Sequence, residues 1–324
     1  MAYDERIIER ATARLRAAAD EKHAEYEAHL AKAYEQYPRL QAIDRRLRES
    51  AAEAVAVSFR KGGDTRAAIE QLQKENLALQ NERQWILDAS EFDEDFLDDS
   101  PVCKLCGGKG WVGAQMCECL RELCRQEQKK ELSSLLLGGN ERFENFQLHY
   151  YPDEFDPALG ASARHMMKLN LSACRRFAGQ FKPGAGSLLF TGATGLGKTF
   201  LSACIARQVA DMGYSVCYIT AGKLFSDYER VRFSGGDEDD LRKYTECDLL
   251  IIDDLGTEMR TQFVVSALYT VVNERLLHQK STIISTNLRP EDLESRYTPQ
   301  IASRLLGCYQ LHTFAGNDIR PMLR

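Results

Sequence analysis

Apolar residues recur at helical spacing through the first ninety positions of this 324-residue chain. Met1 to Tyr37 contains neither Gly nor Pro and is rich in Ala, Glu, Lys and Arg, which favour the helix. After Pro38, the positions Leu40, Ile43, Leu47, Ala51, Ala54 and Val57 fall three and four apart, so they share one face of a second helix. Lys61-Gly62-Gly63-Asp64-Thr65 offers a glycine exit and an Asp or Thr N-cap, which predicts a stop followed by a restart. A third helix carries Ile69, Leu72, Asn76, Leu79, Arg83 and Ile86 in alternating 3-4 spacing, with Asn76 at an a-type position of a heptad seam. The seam lasts only about three heptads, which favours a hairpin packing on itself over a docking or dimerising coiled coil. Either arrangement makes this region an interaction module.

Past the helices the pattern breaks twice. Residues 91–100 form an acidic stretch, Glu91-Phe-Asp-Glu-Asp-Phe-Leu-Asp-Asp99 and then Ser100, expected to be a solvated linker. From about Asn140, short apolar runs alternate with helical stretches: Ser187–Phe190, Ser215–Thr220, Leu249–Ile252 and Thr282–Ser285. That βαβ rhythm argues a parallel sheet covered on both faces.

Between these regions lie Cys103, Cys106, Cys117 and Cys119, two close pairs separated by a glycine-rich loop through Trp111-Val112. The Cys-x2-Cys and Cys-x-Cys pairs can converge on one ion, and a tetrahedral Zn2+ site with Zn–S near 2.3 Å is the expected outcome. A redox relay is disfavoured, because no thioredoxin-like βαβ unit surrounds the motif. Cys124 is close enough in sequence to replace Cys119, so the fourth ligand is left open. Cys174, Cys204, Cys217, Cys247 and Cys308 are isolated and read as small buried hydrophobes.

The first apolar run of the second half leads into Gly192-Ala193-Thr194-Gly195-Leu196-Gly197-Lys198-Thr199 and then a helical stretch. Strand, G-x-x-x-x-G-K-T and helix in that order make a P-loop, in which backbone N–H groups and the helix dipole receive phosphate. Lys198 is placed to reach the β- and γ-phosphates of ATP, and the Thr199 hydroxyl to ligate Mg2+. Asp253 and Asp254 end the apolar run Leu249–Ile252. Asp253 fits the carboxylate of the magnesium shell, and Asp254 the group that orients or deprotonates the attacking water. Asn287 follows the next run and could bond the γ-phosphate or that water.

Composition narrows the function classes. The chain is 44% hydrophobic and 28% charged, enough for a sizeable core, and its formal charge of -6 does not suit a dedicated duplex-DNA reader. Its start has no apolar signal region and no apolar run approaches the ~20 residues that span a bilayer. Ten cysteines without such a signal predict a cytoplasmic protein with no membrane role. Lys223 to Lys243 interleaves Tyr228, Arg230, Arg232, Phe233 and Arg242, a composition suited to single-stranded DNA. The same segment holds Asp237-Glu-Asp-Asp240, which would repel phosphate, so an ordinary solvated loop weighs equally.

Taken together, Gly192–Thr199, LLIIDDLG over Leu249–Gly256, Ser285-Thr286-Asn287, Ile301-Ala-Ser-Arg304-Leu305 and Phe314–Arg320 resemble AAA+ ATPases, and among them the bacterial replicative-helicase loaders of the DnaC/DnaI type. The resemblance covers about residues 140–324, and the cysteine knuckle is similar to the zinc-binding N-terminal region of some of these loaders. It implies a P-loop three-layer α/β sandwich with a five-stranded parallel sheet, preceded by an all-helical arm and a small zinc knuckle. The domains expected are a helical arm over 1–90, the acidic linker over 91–100, the knuckle and a connecting helix over 101–139, and the AAA+ domain over 140–324.

The resemblance also implies ATP hydrolysis between self-associated subunits, Asn287 as a sensor, Arg304 as an arginine finger supplied in trans, and Arg320 as a second sensor arginine acting in cis. The implied partners are a replicative DNA helicase and single-stranded DNA. The residue after the magnesium-shell Asp is commonly Glu in AAA+ proteins, whereas here it is Asp254. Shortening by one methylene, about 1.5 Å, predicts slow, partner-stimulated hydrolysis. An ATPase that assists DNA transposition is the nearest alternative, and a zinc-dependent chaperone-like adaptor is a second.

Overall fold

The computed structural model describes residues 3–58, 65–135 and 140–323. The predicted stop at Gly62-Gly63-Asp64 lies outside the described residues. The chain divides into two compact units, residues 14–117 and residues 1–13 with 118–324. The helices α1 (Glu5–Gln36), α2 (Pro38–Ser58) and α3 (Thr65–Asp88) come first. Next are β1 (Trp111–Val112), β2 (Gln115–Met116) and α4 (Glu118–Leu135), followed by β3 (Phe155–Asp156), β4 (Ala161–Ser162) and α5 (Ala163–Gly179). The α/β succession is then β5 (Ser187–Thr191), α6 (Lys198–Asp211), β6 (Val216–Thr220), α7 (Ala221–Ser234) and α8 (Asp239–Glu246). It closes with β7 (Leu249–Leu255), α9 (Gln262–Leu277), β8 (Ser281–Thr286), α10 (Asp292–Arg296), α11 (Pro299–Cys308) and β9 (Tyr309–Thr313). Among the described residues no helix is long and apolar enough to cross a membrane.

In the unit 14–117, α2 and α3 pack as an antiparallel hairpin. Leu40 and Ile43 on α2 meet Ile86 on α3, while Arg39 pairs with Glu82 at 2.7 Å and Arg46 with Glu75 at 2.7 Å. Asn76 takes its hydrogen bond from the Ser50 hydroxyl at 2.6 Å, within the hairpin itself. The acidic stretch is not a free linker. Phe92 and Phe96 stack 4.2 Å apart beside this core, His29 stacks on Phe96 at 4.1 Å, and Lys22 holds Asp98 at 3.0 Å. The burial of two aromatic rings outweighs the hydration of the carboxylates between them, whose charges can still point to water.

In the second unit, β6-β7-β8-β5-β9 form one sheet with every neighbouring pair parallel. The two-residue period sorts its side chains. Leu188, Phe190, Leu249, Ile251 and Ile283 face a core shared with α5 and α6. Leu189, Leu250, Ile252 and Ile284 face the other, built with α7, α9 and α11. Hence three of the four predicted runs, β5, β7 and β8, are near-continuously apolar and buried on both faces, while β6, at one edge of the sheet, is only partly buried. The fifth strand, β9, is an edge strand reading Tyr-Gln-Leu-His-Thr, with no apolar run for periodicity to find. Gln128 of α4 satisfies the β6 edge, accepting from Val216 N–H at 2.9 Å and donating to the Tyr214 carbonyl at 2.9 Å. Of the isolated cysteines, Cys174, Cys204 and Cys247 are buried as expected and Cys217 partly so, but Cys308 at the end of α11 is exposed.

Candidate nucleotide-binding site

The C-terminal ends of parallel strands are where an α/β sheet receives ligands, because loops diverge there and helix N-termini point inward. Here β5 ends at Thr191, the loop 192–197 turns over the sheet, and α6 begins at Lys198 with Gly197 as a left-handed N-cap, φ 87°. Two glycines permit close approach of the chain's last segment. A Cβ on Gly192 (φ 141°) would lie 2.4 Å from the Phe314 carbonyl oxygen, and one on Gly195 (φ 76°) 1.9 Å from Asp318 Oδ1. Phe314 N–H donates to the Thr191 carbonyl at 2.7 Å and Ile319 N–H to Gly195 at 3.1 Å, so residues 314–319 strap the loop from outside. Arg320 is thereby delivered to the same cavity.

That cavity has a volume of about 600 Å³, in the range that accommodates a nucleotide. One wall is the loop from Thr194 to Thr199, and another is Asp253 and Asp254. Phe146, Tyr150 and Tyr151 form an aromatic side, next to Ile319. The Tyr151 hydroxyl donates to the Leu196 carbonyl at 3.0 Å, which fixes the aromatic segment on the P-loop.

The Lys198 side chain is buried and folded back, its Nζ donating to the Gly192 and Ala193 carbonyls at 2.7 Å each. Burial holds its ammonium below the ordinary lysine range, opposed by the nearby Asp254 and Asp253 carboxylates. An anion in the cavity would relieve that penalty, the electrostatic condition for a phosphate-binding lysine. Asp253 is 3% exposed and surrounded by hydroxyls: Thr199 donates to Oδ1 at 3.3 Å, Ser285 donates to the same oxygen, and Tyr218 donates to Oδ2 at 2.9 Å. Asp254 falls where the β7–β8 register shifts, in a left-handed backbone conformation, φ 57°. This bulge turns its carboxyl out of the sheet into the cavity. Burial, followed by repulsion from Asp253, raises the Asp254 pKa above the usual carboxylate value.

Thus Lys198, Thr199, Asp253, Asp254 and Arg320 meet around one cavity. Asn287 does not line it; its Oδ1 lies 3.1 Å from the position of a Cβ on Gly256, just beyond Asp254. Arg304 on α11 is also outside the lining. Its guanidinium lies 4.7 Å over the Tyr269 ring and bonds Asn273 Oδ1 at 3.2 Å on α9. In residues 223–243 three of the acids pair with bases: Lys223 with Asp227 at 2.7 Å, Arg230 with Asp240 at 2.9 Å, and Arg242 with Asp239 at 3.1 Å. Phe233, 73% exposed, remains on the surface beside Arg232.

Sequence reading missed three contributors. The aromatic side was signalled only by the density of Phe143, Phe146, Tyr150 and Tyr151 ahead of the first apolar run. Tyr218 carried no signal, since a Tyr in a strand is ordinary and its contact with Asp253 comes from β6–β7 pairing. Glu258, in the turn after Asp254, carries no signal of its own either.

The Cys103, Cys106, Cys117 and Cys119 sulfurs all lie within 4.8 Å of one another. Four sulfurs at about 2.3 Å from a tetrahedral zinc stand about 3.8 Å apart, and Cys103 Sγ to Cys117 Sγ is 3.8 Å. Gly110 N–H donates to Cys106 Sγ at 3.2 Å, the kind of bond that steadies a ligating thiolate. The donor set fits zinc. Cys124, the alternative fourth ligand, is fully buried outside this cluster, and burial pushes its thiol up to about 11.

A parallel sheet, a glycine loop with its lysine after β5, and paired carboxylates at the end of β7 define an AAA+ P-loop ATP-binding domain. The chain belongs to the family of IstB-like ATP binding proteins, whose model matches residues 146–307. It is 26% identical over 159 residues to the replicative helicase loader DnaC of Buchnera aphidicola subsp. Schizaphis graminum, an alignment covering 48% of this chain and 64% of that protein. With the replicative helicase loader DnaC of Escherichia coli K12 it shares 27% over 137 residues, covering 42% and 56% respectively. The chain therefore spans less than two thirds of the length of these relatives. A crystal structure of the DnaC helicase loader superposes with a TM-score of 0.44 at 23% identity, covering 53% of this chain and 98% of that one.

Proposed function

We propose that this protein hydrolyses ATP between associated copies of itself to load a replicative DNA helicase onto single-stranded DNA. The observation that carries the reading is the cavity in which Lys198 and Thr199 face Asp253 and Asp254, on a chain similar to proteins named as replicative helicase loaders. The amides of residues 194–199 receive the phosphates, and Lys198 swings from its loop carbonyls to the β- and γ-phosphate oxygens. Thr199 and Asp253 would hold Mg2+, which neutralises charge between those phosphates. Asp254 accepts the proton of the attacking water, and Asn287 approaches the γ-phosphate side as the subunits close. Arg320 supplies positive charge within the protomer, and Arg304 supplies it to the neighbouring copy. Phe233 and Arg232 offer single-stranded DNA a stacking ring beside a cation.

Cys103, Cys106, Cys117 and Cys119 would hold a structural Zn2+ that keeps the knuckle folded. Metal analysis of purified protein is expected to give one zinc per chain, lost in Cys119→Ser and retained in Cys124→Ser. The opposite pattern contradicts the assignment.

The loading role is tested by copurifying the full chain with the replicative helicase of its own host, with and without ATP. A complex whose yield changes with ATP, and loses that response in Lys198→Ala, is expected. Failure to capture the helicase in either condition contradicts the role.

A further inference from the structure

Asp254 occupies a backbone conformation that non-glycine residues seldom adopt, and such a conformation persists only when its surroundings hold it. Its N–H donates to the Ser285 hydroxyl at 3.0 Å, and its carbonyl accepts from the Thr257 hydroxyl at 2.9 Å. The turn that follows, Leu255-Gly-Thr-Glu258, folds back on itself. Gly256 N–H donates to Glu258 Oε2 at 2.8 Å, while the other carboxylate oxygen, Oε1, accepts from the Tyr297 hydroxyl at 2.7 Å. Arg296 lies 3.7 Å from Oε1 and also donates to the Glu258 and Gly256 carbonyls. The Glu258 side chain is only 5% exposed, so it is committed to these contacts and not to solvent or ligand.

We propose that Glu258 is a positioning residue for Asp254. One oxygen closes the turn immediately after Asp254, and the other anchors that turn to Tyr297, between α10 and α11. The carboxylate thus holds the left-handed bulge that aims the Asp254 carboxyl into the cavity. Glu258 itself does not line that cavity, and neither does Tyr297. Tyr297 is buried and its hydroxyl pKa is raised, first by burial and then by its bond to Glu258, so it stays a proton donor to the carboxylate. The inference rests on Asp254 acting on the lytic water, as proposed above.

Single-turnover ATP hydrolysis by the full chain tests it, alongside equilibrium binding of a fluorescent ATP analogue. Glu258→Gln keeps the size of the side chain and removes one of its two acceptor oxygens; Tyr297→Phe removes the anchor alone. Each is expected to lower the rate constant about tenfold, with the analogue's Kd within twofold of wild type. In an Asp254→Asn background the same two substitutions are expected to have no further effect, because the carboxylate they aim is gone. A purely structural role would instead slow both backgrounds equally or weaken nucleotide binding, and either result overturns the proposal. So does a rate unchanged by both substitutions while Asp254→Asn slows hydrolysis. If Asp254→Asn itself leaves hydrolysis unchanged, the assigned role of Asp254 fails, and that of Glu258 with it. Should Glu258→Gln not fold, Tyr297→Phe decides between the same outcomes.

Discussion

Arg304→Ala is expected to lower ATP turnover of the assembled protein about 10³-fold while leaving nucleotide affinity nearly intact. The magnitude is that of an arginine supplied to the γ-phosphate of a neighbouring P-loop site. Within its own protomer Arg304 lies against Tyr269 and Asn273 and does not line the cavity, so its charge can serve a nucleotide only across an interface. Mixing separates that role from a local one. Arg304→Ala protein keeps an intact P-loop, and Lys198→Ala protein keeps an intact arginine, so a mixture of the two inactive variants should recover a measurable share of turnover. No recovery, with both variants still assembling, places Arg304 among ordinary surface contacts between α9 and α11.

Lys198→Ala removes a cavity cation whose own surroundings already disfavour its charge. Burial lowers its pKa, and its present acceptors are two neutral carbonyls. A triphosphate replaces those with charge-assisted bonds worth about 2 kcal/mol more, so the variant should bind ATP about 30-fold more weakly. Turnover should fall below detection, since the same ammonium stabilises charge on the leaving β-phosphate. Thermal stability should change little, because removal of a desolvated ammonium offsets the loss of its two hydrogen bonds to the Gly192 and Ala193 carbonyls. The measurement is ATP affinity by titration together with a melting curve. Near-wild-type affinity would contradict the role.

The parts of the site readable from sequence are those whose chemistry is contiguous. Gly192–Thr199 states its own geometry, because each glycine and the lysine act within one turn of chain. Asp253 and Asp254 were legible because an apolar strand ending in two carboxylates has few structural reasons to exist. By contrast, Tyr218 reaches Asp253 from a different strand, and Phe146 and Tyr151 reach the loop from about fifty residues upstream. Nothing local marks Tyr218, and only the density of aromatic residues from Phe143 to Tyr151 marks the other two. Glu258 is a polar residue in a polar turn until Tyr297 is seen to close on it. The fold shows the same division: β5, β7 and β8 are buried on both faces and announce themselves, whereas the edge strand β9 does not. In residues 91–100 the density of charge concealed two phenylalanines whose packing decides where the segment goes.

Isothermal titration of the purified full chain with ATP and magnesium tests most directly whether residues 192–199 and the Asp253–Asp254 pair form one nucleotide site. A saturable heat with one nucleotide per chain, strongly reduced in Lys198→Ala, is the predicted result. A flat titration of the wild-type protein, or one that Lys198→Ala leaves unaltered, contradicts it.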